Sequence, residues 1–238
     1  YICSMFGLTM FDVISTIMKP IEKIMTGLPG YVVVVLIMQL LWWFGIHGPN
    51  VMSAVTTPFM TKMMATNLEL YQSGEGVTAS GVFYTAGSKY SIIANPFASG
   101  WFGPTGSGIT MGLIIAVMLF SKRDDFKAIA KLAIPCGLFN INEPIIFGIP
   151  MVMNAMFAVP FFLTPVACVC CGYLVQYLGL CPLFVIDVPW TTPVGLFGFL
   201  ASSGNIMGAI WQIVIIVGVS TLIYTPFVIA SNRQTEEA

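Results

Sequence analysis

The three longest stretches of this sequence without Asp, Glu, Lys or Arg constrain the fold more than any other feature does. They cover residues 24–61, 144–186 and 188–232. A water-soluble domain carries about 25% charged residues because its surface must be solvated, whereas only 8% of these 238 residues are charged and 57% are hydrophobic. The sequence therefore predicts an integral membrane protein, and it excludes nucleic-acid-binding, disulfide-stabilised and intrinsically disordered proteins.

One transmembrane helix needs roughly 20 apolar residues, and each charge-free stretch is far longer. Apolar runs predict membrane crossings at residues 29–46, 106–120, 155–177 and 207–230. Irregular backbone at membrane depth must be buried in protein or line a cavity. We therefore expect broken or re-entrant segments where Gly, Pro, Asn and Thr are frequent, at residues 45–58, 97–107, 135–150 and 189–204. The expected fold class is an all-α integral membrane protein with about four to five transmembrane helices plus re-entrant hairpins; kinked helices joined by apolar loops are the alternative.

A cluster of four cations predicts the orientation in the membrane. Lys122, Arg123, Lys127 and Lys131 form a basic loop, which the positive-inside rule places in the cytoplasm. Because two crossings precede this loop and two follow it, we expect both ends of the chain in the cytoplasm. The polar segment 66–91 is then an extracytoplasmic or cavity-lining connection.

The chain divides into three expected regions. Residues 1–28 form a leading segment, in which apolar residues at helical spacing over 11–27 predict an amphipathic interfacial helix on the cytoplasmic surface, kinked at Pro20. Residues 29–230 form the membrane domain, and residues 231–238 form a polar cytoplasmic tail.

The six cysteines lie almost entirely in apolar runs, and no pair has the spacing or the His neighbours of a zinc or redox site. We interpret them as small buried hydrophobic residues. The sequence also lacks a glycine-rich loop followed by Lys and Ser or Thr. We therefore expect no metal, no cofactor and no ATP site.

Three ionisable residues stand alone in apolar surroundings: His47, Glu143 and Asp187. Ionisable groups inside a membrane are costly and normally face a cavity or a partner. Each of the three lies in a segment rich in Gly, Pro, Asn or Thr, close to aromatic or amide side chains. These neighbours are Trp43, Asn140, Asn142 and Trp190.

This set of groups suits a neutral polyhydroxylated ligand. Carboxylate, imidazole and amide groups hydrogen-bond to hydroxyls, and aromatic rings offer apolar faces to a sugar. Structural alternatives are a buried His47 bonded to backbone, a helix-capping Glu143 and, favoured for this residue, an interfacial loop position for Asp187. A transporter that carries protons on Glu143 and His47 is the competing function, and a purely structural anchor is disfavoured because it needs no lone acids.

Three sequence segments resemble the signature stretches of one family. They are WFGIHG at residues 43–48, NINEP at 140–144 continuing through FGIP at 147–150, and VPWTTP at 188–193. Their order and approximate spacing resemble those of the lactose/cellobiose/diacetylchitobiose class of membrane permeases, the enzyme IIC proteins of the bacterial phosphoenolpyruvate:sugar phosphotransferase system. Members of that family are about twice as long, and this chain resembles their C-terminal transport half.

The resemblance implies that residues 29–230 are a sugar transport domain in the bacterial inner membrane. It implies that His47 and Glu143 contact a disaccharide near the hydroxyl to be phosphorylated, with Asn142, Asn140, Trp43 and Trp190 as further sugar-binding candidates. Glu143 is the expected base or hydroxyl acceptor, and His47 the second catalytic candidate. The expected partners are a phosphorylated IIB subunit on a separate chain, the lipid bilayer and a second copy of the permease, which binds through an N-terminal half.

Overall fold

In this computed structural model the structure describes Glu22 and residues 25–236, with side chains through Asn232. The predicted interfacial helix at 11–27 lies almost entirely outside the described residues. Helix α1 (Leu28–Trp43) starts with Pro29 in its first turn, where the missing N–H costs nothing. This helix confirms an apolar segment within the expected first crossing at 29–46.

Helix α2 (Gly48–Gln72) is capped by the side chain of His47. Within residues 45–58, where a broken or re-entrant segment was expected, only the short link between α1 and α2 is non-helical, and the helix continues through Pro58. Proline removes one backbone hydrogen bond from a helix but does not prevent the helix from continuing beyond it.

Two very short strands follow, and they modify the expected all-α fold. Strands β1 (Val77–Thr78) and β2 (Gly81–Val82) pair antiparallel, with Val77 opposite Val82. The polar segment that contains them is attached to α2 through Asn67. The Asn67 amide accepts from the Ser91 N–H at 2.9 Å and donates to the Ser91 carbonyl at 2.7 Å.

Helices α3 (Asn95–Trp101) and α4 (Met111–Phe120) are separated by a loop. The prediction of a crossing at 106–120 was too long, because residues 105–109 include four positive φ angles, at Thr105, Gly106, Gly108 and Ile109. At 1.5 Å per residue, the ten-residue α4 is about 15 Å long, roughly half of a membrane's hydrocarbon thickness.

Two of the four cations predicted to form a loop lie in a helix instead, and the other two precede it. Helix α5 (Asp124–Leu138) starts after Arg123, and Asp124 and Asp125 occupy its first turn, where the helix dipole favours acidic side chains. Its residues Lys127 and Lys131 therefore share a helix, and Pro135 lies inside it. The expected irregular segment begins only after Leu138, and the short helix α6 (Glu143–Gly148) follows.

The C-terminal part contains two long apolar helical segments. The first is α7 (Ala155–Tyr177), which is followed by the short α8 (Leu196–Ala201). The second is a continuous run made of α9 (Ile206–Ile213), a π-helical turn (Val214–Val219) and α10 (Ser220–Glu236). Among the described helices, two are long and apolar enough to span a membrane, at Ala155–Tyr177 and Ile206–Asn232. They confirm apolar helices at two of the four expected crossings.

A buried glutamine joins three of these elements. The Gln212 side chain on α9 accepts hydrogen bonds from the N–H groups of Gly195 and Gly198, both at 2.8 Å. Its amide nitrogen donates to the Gly100 carbonyl at 3.0 Å. Because Gln212 is fully buried, these bonds hold α3 and α8 to α9 without competition from water.

Two hydrophobic clusters form the core. The first includes Tyr31 and Phe102, and the second is built around Trp42 and Phe157. The five described cysteines are free; Cys168 and Cys181 are buried and the other three are half-buried.

Candidate functional site

A cavity of about 870 Å³ lies among α1, α2, α3 and the loops around α6. This volume falls within the range of about 300–1,000 Å³ that is typical of small-molecule sites. Tyr31 and Phe102 of the first hydrophobic cluster and Trp42 of the second contribute to its wall. Five of the six predicted site residues also line it: His47, Asn140, Asn142, Glu143 and Trp190.

His47 lies at the start of α2 and lines the cavity. Its Nδ1 atom accepts a hydrogen bond from the Asn50 N–H at 3.2 Å. A neutral imidazole that accepts at Nδ1 carries its proton at Nε2, so Nε2–H is the group left to donate to a ligand. The side chain is thus bonded to backbone, as the structural alternative held, but the residue is exposed at the cavity.

Glu143 is the first residue of α6 and is half-buried in the cavity wall. The capping position of this helix belongs to Asn142, so the structure does not support the helix-capping alternative for Glu143. Within the described part of the chain, no hydrogen bond or ion pair engages the Glu143 carboxylate. Both of its oxygens are therefore available to a ligand hydroxyl.

Asn140 connects three loops. Its Oδ1 atom accepts from the Thr105 N–H at 2.7 Å, and its Nδ2 atom donates to the carbonyls of Trp190 at 2.5 Å and Thr192 at 2.9 Å. Both amide hydrogens are thus used within the protein. The φ angle of +66° is one that asparagine tolerates better than most residues. Asn140 therefore holds the site in shape, and it retains only one acceptor lone pair for a sugar.

Asn142 is held in a similar way but keeps more free capacity. Its Nδ2 atom donates to the Ser107 carbonyl at 2.6 Å, which leaves its Oδ1 atom open. The amide lies directly against Gly106, where an added Cβ would come within 2.3 Å of it. Glycine at position 106 therefore allows the loop before α4 to approach the residue that precedes Glu143.

The tryptophans differ from the prediction in one respect. Trp42 lines the cavity, whereas Trp43 is not part of its wall and packs its ring against Phe44 and Phe162, with ring centroids 5.3 and 6.5 Å away. Adjacent residues on a helix point about 100° apart, so only one of the pair can face the cavity. Trp190 does line the cavity, and 58% of its surface is exposed.

Asp187 lies beside the main cavity. It lines a smaller pocket of about 390 Å³ together with Asn95, Ser99 and Trp190, three residues that also line the large cavity. Its Oδ1 atom accepts from Asn95 Nδ2 at 3.0 Å. The residue is exposed in a loop, as the favoured alternative held, but it faces a pocket.

Several wall residues were missed by sequence reasoning, including Asn50, Thr56, Asn95 and Ser99. A signal existed for Asn50, which lies three residues after His47 in the same glycine- and proline-containing segment. Trp42 could also have been found, because Tyr31, Met38 and Trp42 recur at helical spacing on one face of α1. Asn95 and Ser99 belong to a short helix, Asn95–Trp101, that overlaps the segment 97–107 where a broken or re-entrant structure was expected.

The described wall of the cavity contains one acidic side chain, Glu143, one imidazole, His47, and no Lys or Arg. Amide, hydroxyl and aromatic groups make up much of the remainder. In addition, no cluster of three His, Cys, Asp or Glu side chains suited to a metal ion occurs among the described residues. This lining matches a neutral ligand with many hydroxyls better than it matches an ion.

Comparison with known proteins identifies the family of this chain. Residues 1–165 match the family model described as "Phosphotransferase system, EIIC". The cellobiose-specific EIIC component of Lactococcus lactis is 34% identical over 92% of this chain and 46% of its own length. The oligo-beta-mannoside-specific EIIC component of Bacillus subtilis is 32% identical over 96% of this chain and 49% of its own.

A solved structure is also similar. The transporter ChbC, the IIC component of an N,N'-diacetylchitobiose-specific phosphotransferase system, superposes with a TM-score of 0.84 at 31% identity, covering 99% of this chain and 54% of ChbC. The chain spans about half the length of the curated relatives it matches. The family match and these identities agree with the residues around the cavity, and the chain belongs to the EIIC family of the phosphotransferase system.

Proposed function

We propose that this chain binds a disaccharide in the large cavity, carries it across the bacterial inner membrane and presents it to a phosphorylated IIB subunit. The observation that carries this proposal is Glu143, whose carboxylate is unengaged in the wall of a cavity that holds no Lys or Arg among its described residues. The relatives named for cellobiose and the similar structure named for diacetylchitobiose support a β-linked disaccharide as the substrate.

The proposed chemical step is transfer of a phosphoryl group from the IIB phosphocysteine to a sugar hydroxyl. The hydroxyl oxygen attacks phosphorus, the O–P bond forms and the S–P bond breaks, so that the thiolate stays on IIB. Glu143 accepts the hydroxyl proton as the O–P bond forms. His47 donates from Nε2 to the sugar or to the transferring phosphoryl group, since its Nδ1 atom is already occupied by Asn50.

Asn140 and Asn142 act mainly by positioning. Asn140 joins the loop before α4 to the loop that carries Trp190, and Asn142 attaches the residue before Glu143 to Ser107. Trp190 offers its exposed ring to a sugar face. Trp42 takes the role that the sequence prediction gave to Trp43, because Trp42 is the residue in the cavity wall.

We further propose the membrane arrangement. Helices α1, α7 and the α9–α10 run supply three crossings, and α4 together with the loop between α3 and α4, a re-entrant element around the cavity, supplies the fourth. Both ends of the chain face the cytoplasm, together with the cations near the start of α5, as the positive-inside rule requires. The interfacial helix at 11–27 and a homodimer formed through an N-terminal half remain part of this proposal.

The test uses membrane vesicles that contain the full-length parent protein, labelled cellobiose and phosphorylated IIB. Sugar phosphate that appears inside only when IIB is present supports the proposal. Free sugar that accumulates with a proton gradient and is indifferent to IIB overturns it and supports a proton-coupled transporter, in which the unengaged Glu143 carries the proton. Purified parent protein that binds no disaccharide also overturns it.

A further inference from the structure

The pocket around Asp187 adjoins the large cavity. Asn95, Ser99 and Trp190 line both spaces, so the two share a wall. Asn95 and Ser99 are four residues apart on α3 and therefore lie on the same face of that helix. Together they form the boundary between a large compartment with Glu143 and a smaller one with Asp187.

The smaller pocket has hydrogen-bonding capacity that the protein does not use. Asp187 receives one hydrogen bond, from Asn95 Nδ2 to its Oδ1 atom, and no cation lies within ion-pair distance among the described residues. The Oδ2 atom of Asp187, the Oδ1 atom of Asn95 and the Ser99 hydroxyl have no partner in the described part of the chain. Three potential acceptor atoms thus belong to residues that line one small pocket.

An apolar surface completes the pocket. Trp190 lines both compartments and is 58% exposed, so its indole is open to a ligand. The position of the Trp190 backbone is fixed by the hydrogen bond from Asn140 to its carbonyl. A flat aromatic face beside several acceptors suits a pyranose ring, which has apolar C–H faces and a rim of hydroxyl donors.

We propose that the smaller pocket is the subsite for the second sugar ring, the one that does not carry the hydroxyl to be phosphorylated. Asp187 accepts hydrogen bonds from hydroxyls of that ring, Asn95 is oriented by Asp187 and adds an acceptor, and Trp190 packs against the ring. The carboxylate of Asp187 makes this subsite prefer rings with free hydroxyls. This inference rests on the proposed disaccharide function, and it assigns different tasks to the two carboxylates: Glu143 to the reacting ring and Asp187 to selection.

The volumes are consistent with this division. The large cavity of about 870 Å³ and the pocket of about 390 Å³ share three lining residues. In the proposed arrangement a ligand of two rings places one ring near Glu143 and His47 and the other near Asp187. A monosaccharide near Glu143 leaves Asp187 without contact.

The test measures equilibrium binding of cellobiose and of methyl β-glucoside to the purified full-length parent protein. Asp187→Ala should weaken cellobiose binding about tenfold or more, since hydrogen bonds to a charged group contribute roughly 1.5–3 kcal/mol and about 1.4 kcal/mol is tenfold. Asp187→Asn, which can still accept from Asn95, should weaken it less. Binding of methyl β-glucoside should change less than twofold in both variants.

The control is Asp125→Asn, which removes a carboxylate that pairs with Arg123 outside both pockets and should leave both affinities unchanged. Equal losses for cellobiose and methyl β-glucoside in Asp187→Asn, or no loss for cellobiose in Asp187→Ala, would overturn the subsite. A wild-type protein that binds neither sugar overturns the proposed function itself, which is a separate outcome. Wild-type binding of cellobiose with an insensitive Asp187 overturns only the subsite.

Discussion

The imidazole ring of His47 lies against the indole ring of Trp42, with ring centroids 4.8 Å apart and planes inclined by 52°. Trp42 is the last of the residues of α1 that face the cavity, and His47 caps α2. Their contact, together with the hydrogen bond from the Asn50 N–H, restricts the imidazole from two sides. The free Nε2 atom is therefore presented to the cavity by a ring whose orientation is already fixed before a ligand binds.

Replacing His47 separates its capping function from its ligand function. His47→Asn keeps a side-chain acceptor at the helix start, where asparagine is a favoured cap, but the shorter side chain loses reach into the cavity. His47→Ala loses both functions. We expect both variants to bind sugar at least about tenfold more weakly, whereas only His47→Ala should lose about 0.5–2 kcal/mol of stability. Sugar titration and thermal unfolding check this, and unchanged affinity in both variants would contradict a ligand role.

Glu143→Gln keeps the size of the side chain and one oxygen acceptor but removes the base. We expect phosphorylation of cellobiose by phosphorylated IIB to slow by a factor of about 10²–10⁴, the usual contribution of a general base, while sugar affinity changes only a few-fold. The control is Glu69→Gln, on the exposed surface of α2, which should retain the normal rate. A normal rate in Glu143→Gln would leave this residue with a binding role alone.

Asn140→Asp tests the connection between the loops. A carboxylate cannot donate to the carbonyls of Trp190 and Thr192, so two attractive contacts become repulsive. We expect a loss of stability of about 1–3 kcal/mol, because these partly buried carbonyls lose their donor, together with weaker disaccharide binding. Glycine tolerates the φ of +66° at this position. Asn140→Gly should therefore lose the hydrogen bonds without adding a charge, and it should lose less stability than Asn140→Asp. Thermal unfolding would contradict this if Asn140→Asp were as stable as the wild type.

Two glycines in the long helices provide a matched test of packing. A Cβ at Gly172 would come within 2.3 Å of the Trp101 ring, whereas a Cβ at Gly218 would meet no atom within 4 Å. Gly172→Ala should therefore cost about 1–3 kcal/mol, the range for overpacking a tight core. Gly218→Ala should be neutral or slightly stabilising. Equal melting temperatures for the two variants in the same detergent would show that Trp101 can move aside.

The parts of the fold that could be predicted are those where one physical requirement dominates. Long apolar runs predicted the helices at 155–177 and 207–230, because membrane length and hydropathy leave few other solutions. The segment 106–120 was misjudged, since hydropathy does not register the positive φ angles near Thr105, which delay the start of α4 until Met111. The frequency of Gly and Pro at 45–58 predicted a broken or re-entrant segment, but the residues from Gly48 onward form a helix that accommodates Pro58.

The site was predictable at its ionisable residues and less so at their neighbours. An isolated Glu143 or His47 is informative because an ionisable group in apolar surroundings needs a cavity or a partner. The choice between Trp42 and Trp43 depends on the rotation of one helix, which an all-apolar stretch does not specify. The three hydrogen bonds of Asn140 depend on loops distant in sequence, so its holding role was accessible only from the structure.

The hydrogen bonds of Gln212 have a consequence for the proposed transport of a sugar. Gln212 ties α3, which contributes Asn95 and Ser99, to α8 and to the long membrane helix run, and Asn140 ties the Trp190 loop to the segment before α4. These walls would then shift together as one block, because a relative displacement would strand buried polar groups at about 1–3 kcal/mol each. In the proposed transport, a bound sugar would therefore move within a cavity of constant shape. The cavity would select the same ligands where the sugar enters as where it leaves.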